Sequence, residues 1–137
     1  MKLKLLGSSV AAAALVASIA ATGPAGAASA TGAGSAAVCE GHVGVTHKDG
    51  NLIWGSGSLD GSCSGGSTAN IYIQRWDVWR WVQMEDDIIN GPGYVELIYF
   101  DCSGRGTQTW RTLVTWRNPY TGKPGSKASN EIRVTCS

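Results

Sequence analysis

The chain has 137 residues, with 11 basic and 10 acidic side chains, two histidines and a formal net charge of +1 at pH 7. This near balance gives no electrostatic reason to expect nucleic acid or an anionic membrane surface as a partner. Four cysteines and six tryptophans occur in a chain rich in glycine. Disulfides and aromatic clusters are therefore the features that we follow along the sequence.

Residues 1–30 have the pattern of a secretory signal peptide. Lys2 and Lys4 precede an apolar run rich in Ala, Leu and Val, and small residues follow it up to Ala30. This order of charged, apolar and small residues is typical of a signal that is cleaved on export. The apolar run is too short and too rich in alanine for a membrane anchor. We expect cleavage after Ala30 or, alternatively, after Ala27.

Residues 31–37, TGAGSAA, are small and predict a flexible leader, and residues 38–137 form a single domain of ordinary size. Without the signal, nine basic residues oppose ten acidic ones. We expect a secreted, extracellular and monomeric protein that has no membrane attachment after cleavage.

Short stretches rich in β-branched and aromatic residues alternate with Gly, Asp, Asn, Ser and Pro clusters over the rest of the chain. This spacing predicts an all-β, two-sheet antiparallel, immunoglobulin-like sandwich of about seven strands. The predicted strands are 38–46, 52–59, 71–76, 79–84, 94–101, 108–117 and 129–135.

All four cysteines lie in the exported part of the chain, and an even count in an oxidising compartment predicts two disulfides. In an immunoglobulin-like strand order, Cys39 and Cys63 meet at one pole, and Cys102 and Cys136 meet at the other. We favour these pairs over the two other connectivities. The absence of a CxxC motif disfavours zinc, and we expect no metal and no cofactor.

The segments IYIQRW, RWVQM, GYVELIYFDCSGRGTQTWRTLVTW and SNEIRVTC between residues 70 and 136 resemble the second half of immunoglobulin-like or fibronectin-III-like modules. They are most similar to small secreted actinobacterial proteins with two disulfides. The resemblance covers about half of the chain, and it implies a β-sandwich without implying a particular ligand. In contrast to antibody domains, the strand 108–117 contains no cysteine.

The segment RWDVWRW at 75–81 predicts a hairpin dense in tryptophan and arginine. A two-residue turn at Asp77-Val78 places Trp76 opposite Trp79, whereas a three-residue turn over residues 77–79 pairs Arg75 with Trp81. In the strand 108–117, Trp110, Thr112, Val114 and Trp116 share one face, and Arg111, Leu113, Thr115 and Arg117 share the other.

This cluster has two interpretations. Its side chains form an exposed platform for an extracellular carbohydrate or protein, or they form an interleaved ladder that only stabilises the sheet. The candidate ligand-binding residues are Tyr72, Trp76, Trp79, Trp81, Arg111 and Arg117.

We therefore predict a non-catalytic binding module, because the sequence shows no assembled acid, base or nucleophile. The alternative is a secreted inhibitor that inserts the loop 118–128 or 60–67 into an extracellular hydrolase. The acidic run 85–87 is expected to form a solvated turn beside a sheet edge.

Overall fold

The computed structural model describes residues Val38–Ser137 as one unit. The signal peptide and the leader predicted from the sequence lie outside the described residues. Within this unit, β1 (Gly41–Val43) and β2 (His47–Asp49) both pair with β3 (Leu52–Leu59), and β6 (Val95–Asp101) pairs with the other edge of β3. These four antiparallel strands form the first sheet.

The second sheet has five strands and is also antiparallel. β5 (Arg80–Ile89) pairs with β4 (Ala69–Asp77), and β4 pairs with β7 (Gly106–Arg117). β8 (Pro124–Ala128) and β9 (Ile132–Cys136) pair with successive parts of β7. The prediction of an all-β, two-sheet antiparallel sandwich is confirmed, and its strand order is that of an immunoglobulin-like domain.

The described part of the chain has nine strands, where the sequence predicted about seven. The predicted strand 38–46 is shortened to β1 (Gly41–Val43), and β2 begins at His47, beyond the predicted end; between them Thr46 is buried. The predicted loop 118–128 is shortened, because residues 124–128 pair with β7 as β8. Only residues 118–123 connect these two strands.

The core lies between the sheets, and β7 contributes its centre. Trp110, Thr112 and Val114 are fully buried, and Trp116 packs partly buried beside them, which confirms the alternation predicted for this strand. β3 faces them with Gly55 and Gly57, and a Cβ atom at Gly57 would lie 2.6 Å from Cγ2 of Val114. The glycines therefore allow the two sheets to approach closely.

A hydrogen-bond network joins the two sheets. It connects the segment between β1 and β2 to the segment between β8 and β9. The Thr46 hydroxyl lies 2.6 Å from the hydroxyl of Thr112 and 2.7 Å from that of Ser129. The Thr46 amide donates to Oδ1 of Asn130 at 2.8 Å. The segment between β1 and β2 and the segment between β8 and β9 therefore provide hydrogen-bond partners for each other's polar groups.

Both predicted disulfides are confirmed: Cys39 is bonded to Cys63, and Cys102 is bonded to Cys136. The sequence separations are 24 and 34 residues, so each bond stabilises the fold by roughly 3 to 4 kcal/mol in the chain-entropy model. Disulfides of this kind are typical of proteins in oxidising compartments. Among the described residues, no helix is long and apolar enough to cross a membrane.

Candidate functional site

The hairpin of β4 and β5 turns at Val78 and Trp79, so both turns predicted from the sequence are wrong. Asp77 pairs with Arg80, and Trp76 pairs with Trp81. Val78 has a φ of 52°, as the first position of a tight hairpin turn requires. A β-branched residue rarely adopts this conformation, so a turn at Val78 could not be predicted from its residue type.

A β-bulge then sets which side chains of β5 face the core. Gln74 pairs with Gln83 but Ile73 pairs with Glu85, so Met84 is the extra residue. Met84 packs against the core, and so does Ile89 five residues later. Without the bulge, simple alternation would send one of these two side chains outward.

The hairpin and β7 together form the tryptophan–arginine face, which we define as Trp76, Trp81, Gln74 and Arg111. The indoles of Trp76 and Trp81 meet edge to face with ring centroids 5.2 Å apart, a favourable geometry for aromatic pairs. The Arg111 guanidinium lies 4.1 Å from the Trp81 ring centroid. Its Nε donates to Oε1 of Gln74 at 2.9 Å, which fixes the guanidinium above the ring.

The face is only partly covered. The side chain of Trp76 is 39% exposed, whereas Trp81 is half-buried beneath Arg111. Trp76 and Trp81 border a shallow depression of about 310 Å³, together with Thr109 and Glu131. The depression therefore combines two aromatic rings with one hydroxyl group and one carboxylate.

Burial and the nearby carboxylate act in opposite directions on Arg111. Partial burial lowers the pKa of the guanidinium, and the negative charge of Glu131 raises it. Arginine starts from so high a pKa that it stays protonated. Arg111 is therefore a permanent cation that shields one side of Trp81 from solvent.

Two further candidate residues, Tyr72 and Trp79, lie outside the tryptophan–arginine face. Tyr72 lies half-buried on β4 and pairs with Leu113 and Asp86. Trp79 lies in the turn, is 72% exposed, and has the Arg80 guanidinium 5.1 Å from its ring centroid.

Arg117 lies six residues beyond Arg111 on β7, about 20 Å away along an extended strand. Its Nη1 donates to the carbonyl of Gly122 in the turn before β8. It lines a separate, more polar depression of about 570 Å³. The structure thus brings together Trp76, Trp81 and Arg111, but not Arg117.

A second group of exposed apolar side chains escaped the sequence analysis. Val95, Leu97 and Tyr99 on β6 point away from the core and are 68%, 63% and 55% exposed. Trp54 on β3 packs beside Tyr99 with ring centroids 5.0 Å apart. Over residues 97–100 both faces of β6 are apolar, so alternation alone could not show that the outer face is uncovered.

The acidic run 85–87 is part of β5, so the prediction of a turn there is wrong. Within the described part of the chain, no group of three or more His, Cys, Asp or Glu residues is arranged to hold a metal ion. His42 Nε2 lies 3.3 Å from Oδ2 of Asp60, within hydrogen-bond distance.

No family model matches this sequence. The curated proteins likewise contain no match. Among solved structures, β-glucosidase 3B from Thermotoga neapolitana in complex with α-D-glucose is similar at 12% identity and a TM-score of 0.32. The match covers 72% of this chain but only 17% of the glucosidase chain. A TM-score of this size supports no conclusion about the fold or the activity of this chain.

Proposed function

We propose that this chain is a secreted, non-catalytic binding module and that the tryptophan–arginine face holds its extracellular ligand. The observation that supports this proposal is the Trp76–Trp81 pair, two indoles on the outer side of a sheet with Arg111 stacked on one of them. Side chains that are already fixed lose little entropy when a ligand arrives. Trp and Arg are also the residues that contribute most to binding energy at interfaces.

Of the two ligand classes, carbohydrate fits the depression better than protein. A sugar ring can stack its C–H face on the exposed part of Trp76, while its hydroxyl groups donate to the Glu131 carboxylate and bond to Thr109. Binding sites of this kind combine an apolar wall with a few polar groups that fix orientation. A protein ligand would instead place an apolar or aromatic side chain there.

The test is retention on insoluble polysaccharides and titration with soluble oligosaccharides. Trp76→Ala should reduce affinity by about tenfold or more, which corresponds to about 1.4 kcal/mol. Trp54→Ala, which removes an indole from the other sheet, is the matched control and should bind as the wild type does. Unchanged affinity in Trp76→Ala would contradict the proposal. A collapsed near-ultraviolet dichroism spectrum in that variant would support the structural ladder instead.

The alternative function, inhibition of an extracellular hydrolase, has one specific observation in its favour. The Tyr120 hydroxyl donates to the Ser62 carbonyl at 2.9 Å, so the two loops proposed as insertion elements are joined to each other. The Cys39–Cys63 disulfide anchors the second loop. Rigid loops of this kind suit protease and glycosidase inhibition, because little order must be gained on binding.

Assays of secreted hydrolases with and without the purified protein test this alternative. Inhibition that Tyr120→Ala weakens and Trp76→Ala leaves intact would favour it over the binding module. Because Tyr120 is 50% exposed, its removal should leave the core intact.

A further inference from the structure

The free edge of β6 is a second feature that could bind a partner. Within the described residues, β6 pairs with β3 on one side only, and β5 of the other sheet lies beside its second side. A strand edge of this kind presents unpaired N–H and C=O groups, and an extended peptide can add to it as a further strand.

The edges of β6 and of the neighbouring β5 differ in their side chains. On the other side of the sandwich, Thr46 and Asn130 join the two sheets through two hydrogen bonds. β5 carries the run Glu85, Asp86 and Asp87 along its edge, and charges on an edge strand oppose pairing with a similar strand. In contrast, the outer face of β6 is apolar from Val95 to Tyr99, and its first outward charge is Asp101 at the strand end.

A groove of about 230 Å³ lies between the two edges. It is lined by residues 85–87 of β5 and by Leu97, Ile98 and Tyr99 of β6. Glu85 and Asp87 pair with the buried Ile73 and Ile71, so their side chains lie on the face of β5 that is turned to the first sheet, whereas Asp86 lies on the opposite face. In the described part of the chain, Lys127 forms an ion pair with Glu40, and His42 lies 3.3 Å from Asp60. The carboxylates along the groove therefore have no cationic partner within this domain, and their charges repel one another.

We propose that the β6 edge binds an extended segment of a partner protein in which apolar residues alternate with lysine or arginine. Successive side chains of a strand point to opposite faces. In an added strand, one set would therefore lie beside Leu97 and Tyr99 on the outer surface, and the other set would point towards Glu85 and Asp87, which share the face of β5 that is turned to the first sheet. Charge complementarity thus selects a basic segment for the inner positions.

A second copy of this chain is a poorer occupant of the same edge. Pairing of β6 with β6 of another molecule would bring two sets of the β5 carboxylates close together. Like charges across an interface oppose association. The site includes β5, which also carries Trp81, but it uses none of the residues of the tryptophan–arginine face, so it is independent of the proposed function.

Isothermal titration with two synthetic peptides tests this proposal. One alternates Val and Lys and the other alternates Val and Glu, and both have the seven-residue length of β6. We expect the Val/Lys peptide to bind and the Val/Glu peptide to show no measurable heat. Binding should weaken as salt is raised, because exposed charges are screened.

Two variants and two controls locate the binding. Leu97→Ser should weaken the Val/Lys peptide about tenfold, and Glu85→Gln combined with Asp87→Asn should do the same. Val45→Ser, which replaces a side chain that is 70% exposed in the connection between β1 and β2, and Trp76→Ala should leave affinity unchanged. Equal binding of both peptides, no binding of either, or a dimer in sedimentation that Leu97→Ser dissociates would each overturn the proposal.

Discussion

The guanidinium of Arg111 lies 4.1 Å from the ring centroid of Trp81 while its Nε donates to Gln74. Cation–π contacts of this kind contribute about 0.5 to 1 kcal/mol at exposed sites. In this protein, the contact matters more because it holds the Trp81 ring in place. Trp81 is held from one side by Arg111 and from its edge by Trp76, so the two indoles form one rigid surface.

Replacement of this arginine should loosen the surface without unfolding the protein. We expect Arg111→Lys to lower the free energy of unfolding by about 1 kcal/mol, because an ammonium group keeps the charge but loses the planar stacking and the bond through Nε. Urea unfolding and near-ultraviolet dichroism measure the two effects. The matched control is Arg117→Lys on the same strand, and an equal spectral change in both variants would contradict this role of Arg111.

The turn at Val78 predicts a stabilising substitution. Val78 is 85% exposed and has a φ of 52°, a conformation that costs an ordinary residue roughly 1 to 2 kcal/mol. Val78→Gly removes this cost, although glycine also makes the unfolded chain more flexible. We expect a net gain of about 0.5 to 1 kcal/mol in thermal or urea unfolding. Val45→Gly, at an exposed position without positive φ, should be destabilising, and a loss in Val78→Gly would show that the turn is not strained.

The core face of β7 and the disulfides could be predicted from the sequence, whereas the hairpin turn and the contact between Thr46 and Thr112 could not. Alternation along β7 located its core face, because one side of that strand is buried and the other carries two arginines. The pairing of cysteines followed from the strand order. The turn at Val78 could not be predicted, because neither Val78 nor Trp79 is a turn-forming residue. Thr46 and Thr112, 66 residues apart, gave no local signal of their contact.

The glycines of β3 are required by the distance between the sheets. A Cβ atom at Gly57 would lie 2.6 Å from Cγ2 of Val114 and 3.1 Å from Cδ1 of both Ile71 and Ile89. Gly57→Ala should therefore destabilise the protein by roughly 1 to 3 kcal/mol, as overpacked cores do. Gly61→Ala is the control, because a Cβ at that position meets nothing within 4 Å. Equal urea midpoints for the two variants would show that the sheets can separate at little cost.

The buried Thr46–Thr112 hydroxyl pair should matter more than an exposed pair of the same kind. Thr112→Val removes a fully buried hydroxyl, so that its polar partners lose a hydrogen bond, at a cost of about 1 to 3 kcal/mol. The control is Thr107→Val on the same strand, whose hydroxyl meets that of Thr135 at 2.8 Å on the surface. We expect this control to change the free energy of unfolding by no more than about 0.5 kcal/mol. Similar losses in both variants would contradict the role of burial.

Two aspartates beside the disulfides make stability depend on pH in the acid range. The Ser62 amide donates to Asp60 and lowers the pKa of its carboxyl. The Ser103 hydroxyl and amide do the same for the pKa of Asp101. A carboxyl whose pKa is lower in the folded state binds fewer protons there than in the unfolded chain. Its contribution to the stability of the folded state is therefore fully present above the ordinary pKa of 3.8. This contribution is lost as the pH falls through the lower pKa that the carboxyl has in the folded protein.

Asparagine at both positions should flatten this dependence, because an amide does not titrate. Between about pH 5 and about pH 2, the urea midpoint of the wild type should fall more steeply than that of the Asp60→Asn, Asp101→Asn variant. Near pH 7 the variant should be the less stable of the two, because charged acceptors form stronger hydrogen bonds than neutral ones. Asp49→Asn removes one exposed carboxylate from β2 and serves as the control for the change in net charge. If the double variant lost stability with acid as steeply as the wild type, carboxylates other than Asp60 and Asp101 would have to cause the acid sensitivity.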